Sequence, residues 1–132
     1  MKLKNEDPNK KIEPTKGELE ILHVLWEHGP CSVRFVNDKM NEQREVNYTS
    51  TLKVMQIMAD KGILRREENG VKHIYHPVEE EQKTQEHLLD RFVESVYQGA
   101  TDKLVMQALG NKKASKKDLD TIREILAKLD KQ

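Results

Sequence analysis

Between Thr15 and Met58 the apolar residues recur at helical spacing in three separate runs. Leu19, Ile21, Leu22, Leu25 and Trp26 make the first, Val33, Phe35, Val36 and Met40 the second, and Leu52, Met55 and Met58 the third. Each run is opened by a residue able to cap a helix. Thr15 followed by Glu18 is a capping box, in which the hydroxyl accepts from the Glu18 amide and the carboxylate reaches back to the Thr15 amide. Ser32 and Asn47 serve the second and third runs, while Gly29 as a left-handed cap with Pro30, and later Gly62, end the first and third. The predicted helices are 15–28, a short one after Ser32, and 48–61, the last two joined by the polar "EQREV".

After Gly62 the period changes. "ILRREENGVKHIYHPV" alternates around Asn69-Gly70, the dipeptide that most readily takes a type I′ hairpin turn, which predicts strands over about 63–68 and 71–77, ended by Pro77. Three helices and then a hairpin is the order of a winged helix, whose third helix is presented to a DNA major groove. Residues 79–132 return to helix. Leu88, Leu89, Phe92, Val93 and Val96 form one stripe, "TDKLVMQAL" a short piece, and Leu119, Ile122, Ile125, Leu126 and Leu129 a last stripe opened by Ser115. So little chain is available to cover these stripes that a second copy is the expected cover, giving a homodimer. The predicted fold class is therefore mainly α. A winged helix-turn-helix domain (three helices plus a β-hairpin wing) spans 14–78, a C-terminal helical dimerisation region spans 79–132, and 1–13 form a flexible N-terminal arm.

Placing the third helix at 100° per residue puts Thr51, Leu52, Met55, Met58 and Ala59 on one side and Thr49, Ser50, Lys53 and Ile57 roughly opposite. Tyr48, Thr49, Ser50 and Lys53 are the candidate DNA-binding residues of this helix. Hydroxyls donate and accept, a threonine methyl suits thymine, and lysine reaches a guanine acceptor or a phosphate. Ile57 is either a thymine or sugar contact or a tolerated surface residue. In the wing, Arg65, Arg66 and Lys72, with His73 beside them, are candidate phosphate contacts; the plainer reading is a charged edge guarded against aggregation.

Charge alters the picture only by narrowing it. The formal net charge is zero, with 13 Lys/Arg against 12 Asp/Glu in residues 1–78 and 10 against 11 in 79–132, so a DNA contact has to be local and shaped rather than a basic tail. No apolar run approaches the roughly 18 residues of a membrane span, and the first residues lack the apolar segment of a secretion signal, so a soluble cytoplasmic protein without membrane insertion is expected. The single cysteine, Cys31, can form no internal disulfide or cysteine metal cluster. His23 and His28 are five apart and His73 and His76 fall on opposite strand faces, so neither pair has metal-site spacing, and exposed or wing-stabilising histidine is expected. There is no glycine-rich phosphate loop, nucleophile motif or carboxylate pair in a pocket-like setting; no enzyme activity, cofactor or metal is expected.

The stretches "ELEILHVLWEHGP", "CSVRFVNDKM", "NYTSTLKVMQIMADKGILRRE" and "GVKHIYHPV" together resemble the penicillinase-repressor family, the BlaI/MecI type of winged-helix repressors. The resemblance runs from Pro14 to the C-terminus and is strongest through Val78. It implies a homodimer on double-stranded palindromic operator DNA, repressing genes such as those for antibiotic response, with relief by proteolysis under a membrane sensor protease. Two departures qualify this. Resistance repressors of the family share an Asn-Phe bond where cleavage releases the dimer, and Gln107-Ala108 stands at that position here. Copper-responsive relatives carry a Cys-x-Cys tail, which "ILAKLDKQ" lacks. The other reading of the domain is a winged-helix protein-interaction module that docks a partner protein and binds no DNA; zero net charge and Ile57 suit it, and salt dependence separates the two.

Overall fold

A computed structural model of the chain describes residues 13–110 and 114–131; of the expected arm over 1–13, all but the last residue lies outside them. The described residues follow the order α1 (Lys16–His28), α2 (Val33–Asn41), α3 (Tyr48–Lys61), β1 (Leu64–Asn69), β2 (Lys72–Pro77), α4 (Glu81–Tyr97), α5 (Thr101–Gly110) and α6 (Lys116–Asp130). This is a mainly α chain, a winged helix followed by a helical region. It divides into two compact units, one through Leu88 and the other from Leu89 onward.

Local capping chemistry explains where the helices begin. Glu18 N donates to Thr15 Oγ1 at 3.2 Å and Thr15 N to Glu18 Oε1 at 3.0 Å, so the capping box is closed in both directions. Glu18 is only 4% exposed, and a carboxylate out of water is costly unless paired. Its second oxygen is met by Lys61 Nζ at 2.8 Å, which ties the first turn of α1 to the last residue of α3. Ser32 and Asn47 cap α2 and α3 by accepting from Phe35 N and Ser50 N. At the far end of α3, Gly62 is left-handed (φ 85°, ψ 11°), with Gly62 N donating to Ala59 O and Ile63 N to Met58 O, a Schellman closure that only glycine enters without strain.

Gly29 departs from expectation. Its φ is positive at 87° but its ψ is 178°, so it is not a left-handed helical cap. The chain leaves α1 extended because Cys31 has to pair with the wing: Cys31 N donates to Tyr75 O at 3.3 Å and Tyr75 N to Cys31 O at 2.9 Å. Burial pushes the Cys31 thiol up to about 11, so it is protonated at neutral pH and a poor nucleophile.

The wing also corrects the predicted turn. β1 and β2 pair antiparallel from Leu64↔Pro77 to Asn69↔Lys72, leaving Gly70 and Val71 as a two-residue loop. Only Gly70 has positive φ (67°); Asn69 does not, and it ends β1. Positive φ at the first central position alone is the signature of type II′, not type I′. The cause lies at the base of the hairpin, where Val78 N donates to Ile63 O at 3.0 Å in the same register, and the tip takes whatever turn that register leaves.

Ile21, Leu22 and Leu25 of α1, Val33, Val36 and Met40 of α2, Met55 and Met58 of α3, Leu64 of β1 and Tyr75 of β2 make the core of the first unit. Leu52 and Ala59, expected on the buried side of α3, are half-buried at its margin. The joint between α2 and α3 is polar. Asn37, 4% exposed, donates through Nδ2 to Thr51 Oγ1 at 2.7 Å and to Val46 O at 3.1 Å. Asn41 Nδ2 donates to Asn37 O and to Val46 O, each at 2.8 Å, and Asn41 Oδ1 accepts from Val46 N at 3.0 Å. After the wing, Trp26 Nε1 donates to Glu79 O at 3.0 Å and Thr84 Oγ1 to Glu79 Oε1 at 2.7 Å, which anchor the start of α4.

Because Asn37 serves the loop and α3 at once, Asn37→Ala is expected to lower the free energy of unfolding by about 2–3 kcal/mol, whereas Thr51→Val, which leaves Asn37 bonded to Val46, costs about 1 kcal/mol. Urea titration of both variants checks this; equal losses would mean that the asparagine has no role beyond its bond to Thr51.

Candidate nucleic-acid interface

The first turns of α3 are built so that one face is held and the other left open. Thr51, Met55 and Met58 are at most 1% exposed. Thr49, Ser50, Lys53, Gln56 and Asp60 are exposed, as is Ile57 at 40%. Thr51 thus spends its hydroxyl on Asn37, while the hydroxyls of Thr49 and Ser50 and the Lys53 ammonium remain on the surface. Gln56 is an addition to the residues expected from the sequence. It lies three residues after Lys53 and carries an amide that can pair with an adenine edge. Asp60 closes the same face with a negative charge, so anion-compatible chemistry is confined to the turns before it.

Ser50 sits toward one flank of this face. It helps to line a shallow cleft of about 300 Å³ together with Gly17, Arg44, Asn47 and Val54. The Arg44 guanidinium there is already committed: Nε and Nη2 grip the two oxygens of Glu20 at 3.2 and 2.6 Å. Hydrogen bonding from Arg44 holds the Glu20 carboxyl below its ordinary range despite partial desolvation. A depressed carboxylate contributes stability that is present above its unfolded pKa and lost as pH falls through the folded one; for so exposed a pair the contribution is small.

On the opposite flank is Tyr48, the first residue of α3, 36% exposed. The Arg34 guanidinium, from the first turn of α2, lies over its ring with Cζ 4.3 Å from the centroid. Sequence reasoning passed over Arg34, since nothing along the chain tells which residue of another helix it meets.

The three basic residues of the wing do not share a face. Directly opposite residues of a hairpin project to the same side, so Arg65 and Lys72 lie with Glu67, Ile74 and His76, while Arg66 lies with Glu68, His73 and Tyr75. Glu67 is drawn to His76, with Nε2 and Oε1 2.7 Å apart, leaving Arg65 and Lys72 the cations of their face. Val71 is bare at the tip.

In the second unit, Val93 is buried, but Leu89, Phe92 and Val96 of the same stripe are 51, 48 and 57% exposed. Leu88, which belongs to the first unit, is half-buried. On α6, capped by a closed Ser115–Asp118 box, Leu119 and Ile122 are half-buried and Ile125, Leu126 and Leu129 exposed. Neither α5 nor α6 buries a single residue. Gln107 and Ala108 are exposed within α5, where Tyr97 Oη donates to Gln107 Oε1 at 2.5 Å. Among the described residues no helix is long and apolar enough to cross a membrane.

Comparison with known proteins agrees with this architecture. The chain is 22% identical over 120 residues to the methicillin resistance regulatory protein MecI of Mammaliicoccus sciuri, covering 91% of this chain and 98% of that protein. It is 21% identical over the same extent to MecI of Staphylococcus aureus strain N315 and of Staphylococcus epidermidis. The family model described as penicillinase repressor matches residues 14–128, and on that match the chain belongs to the penicillinase repressor family.

Proposed function

We propose that the chain is a transcriptional repressor that grips a palindromic operator as a homodimer, with α3 of each copy in a major groove and the wing along the neighbouring backbone. The observation that carries this is the open face of α3, where Thr49, Ser50, Lys53 and Gln56 project from a helix whose other side is locked into the core. Membership of a repressor family, and relatives named as resistance regulators, support regulation rather than catalysis and suggest antibiotic response as the setting. Lys53 and the hydroxyls supply base-edge chemistry, and Arg65 and Lys72 supply phosphate contacts that position without reading sequence.

Duplexes selected by the protein from a randomised pool provide the probe. Ser50→Ala and Lys53→Ala should each cost roughly 1–3 kcal/mol on the selected duplex and much less on a scrambled one. Arg65→Ala combined with Lys72→Ala should weaken both duplexes alike and lower the slope of log affinity against log salt by about 2. Failure to select any sequence, with binding indifferent to salt, would sink the reading and leave a module that docks protein through Ile57.

Dimerisation through the stripes of α4 and α6 belongs to the same proposal. Phe92→Asp or Leu126→Asp should give monomers in sedimentation, because a charge buried without a partner is costly. A wild-type chain that is monomeric at concentrations on the order of tens of micromolar would contradict it.

Relief by proteolysis in α5 completes the proposal, and rests on the family alone. A protease needs extended backbone, and a helix that buries nothing opens at little cost. Cutting near Gln107-Ala108 would remove the stripe of α6, so that two linked half-site contacts become two weak ones. Protein recovered from cells with the target genes switched on should show the cleaved mass; an intact chain there assigns relief to another route.

A further inference from the structure

We propose that Arg34 grips a DNA phosphate and that Tyr48 is the platform that holds it, not itself a reader of bases. This rests on the DNA-binding reading above and adds a residue from α2 to it.

Asp38 stands four residues after Arg34 on α2, the spacing at which helix ion pairs form, yet the guanidinium lies over the Tyr48 ring with Cζ 4.3 Å from the centroid. Among the described residues no carboxylate pairs with Arg34, whereas Arg44 and Arg123 are held by Glu20 and Asp120. A guanidinium that stacks flat on an aromatic face keeps its edge, where the N–H donors are, open. That edge is the part which matches two phosphate oxygens in parallel. Covering the face with an aromatic ring also removes rotamers that an unstacked arginine would lose on binding, so less affinity is forfeited to ordering.

Position supports the same use. Arg34 follows the first residue of α2 and Tyr48 is the first residue of α3, so the cation sits beside two helix starts, each capped by an uncharged side chain, Ser32 and Asn47. Both helix ends carry partial positive charge, which favours an anion at the guanidinium edge. One face of the Tyr48 ring is covered by Arg34, so the ring already serves as a support for the cation.

The test is binding of Arg34→Ala, Arg34→Lys, Tyr48→Phe, Tyr48→Leu and the Arg34→Ala/Tyr48→Leu double variant to the duplex selected from the random pool and to a scrambled duplex, each over a range of salt. Arg34→Ala should weaken both duplexes alike, by roughly tenfold, and reduce the salt slope by about 0.9. Arg34→Lys should keep the slope and recover only part of the affinity, because a lysine cannot present the stacked fork. Tyr48→Phe should bind as wild type. Tyr48→Leu should weaken binding in the presence of Arg34 and cost nothing further in its absence. If Arg34→Ala binds with full affinity and slope while Lys53→Ala loses discrimination, the Arg34 contact is overturned and the α3 reading stands. Additive losses for Tyr48→Leu and Arg34→Ala would overturn the platform role. A wild-type chain without salt-dependent DNA binding would overturn the function proposed above and this contact with it.

Discussion

The placement of α3 depends on a buried amide. Asn37 bonds to Thr51 on α3 and to the carbonyl of Val46 in the connecting turn, and Asn41 meets Val46 from both sides. Apolar packing in the core that Met40 shares with Met55 and Met58 would bring the two helices together but tolerate several rotations between them. Hydrogen bonds in a low-dielectric joint do not, because each alternative leaves a buried donor or acceptor without a partner. The polar network therefore selects one crossing of α2 and α3, and that crossing decides which side chains of α3 face out.

The wing is fixed by a comparable device at its base. Cys31 pairs through its backbone with Tyr75 and Val78 pairs with Ile63, so the hairpin is tied to the segment after α1 and to the segment after α3. Tyr75, 1% exposed, packs its ring into the core from the same strand. At the other end of the hairpin the loop is Gly70-Val71, with Val71 almost fully exposed. The charges of the wing thus ride on a hairpin whose base is tied to the rest of the unit and whose loop is exposed.

Features that depend on neighbours within one turn were readable along the chain. Thr15 with Glu18, Ser32, Asn47, and Ser115 with Asp118 all cap where their spacing said they would, and the 100° rule separated Thr51, Met55 and Met58 from Thr49, Ser50 and Lys53. What escaped was non-local. The Asn69-Gly70 dipeptide argues for one turn, but contacts at Ile63 and Val78 impose a register that makes another. The extended exit at Gly29 answers to Tyr75, more than forty residues on. Arg34 and Gln56 were missed for different reasons: the first needs the crossing of two helices to be meaningful, and the second only needed the helical wheel to be carried one turn further.

Both ends of α3 are secured by groups that lie off its open face: Asn37 acts on Thr51 at the front, and at the back Glu18 holds Lys61 while Gly62 closes the last turn. Side chains between those anchors on the outer surface therefore bear almost none of the helix's stability, and exchanging them should shift folding by only about 0.5 kcal/mol in either direction. A helix held in this way can have its outward chemistry rewritten residue by residue without passing through unfolded intermediates. Descendants of one scaffold are then free to vary that surface at little risk to the fold.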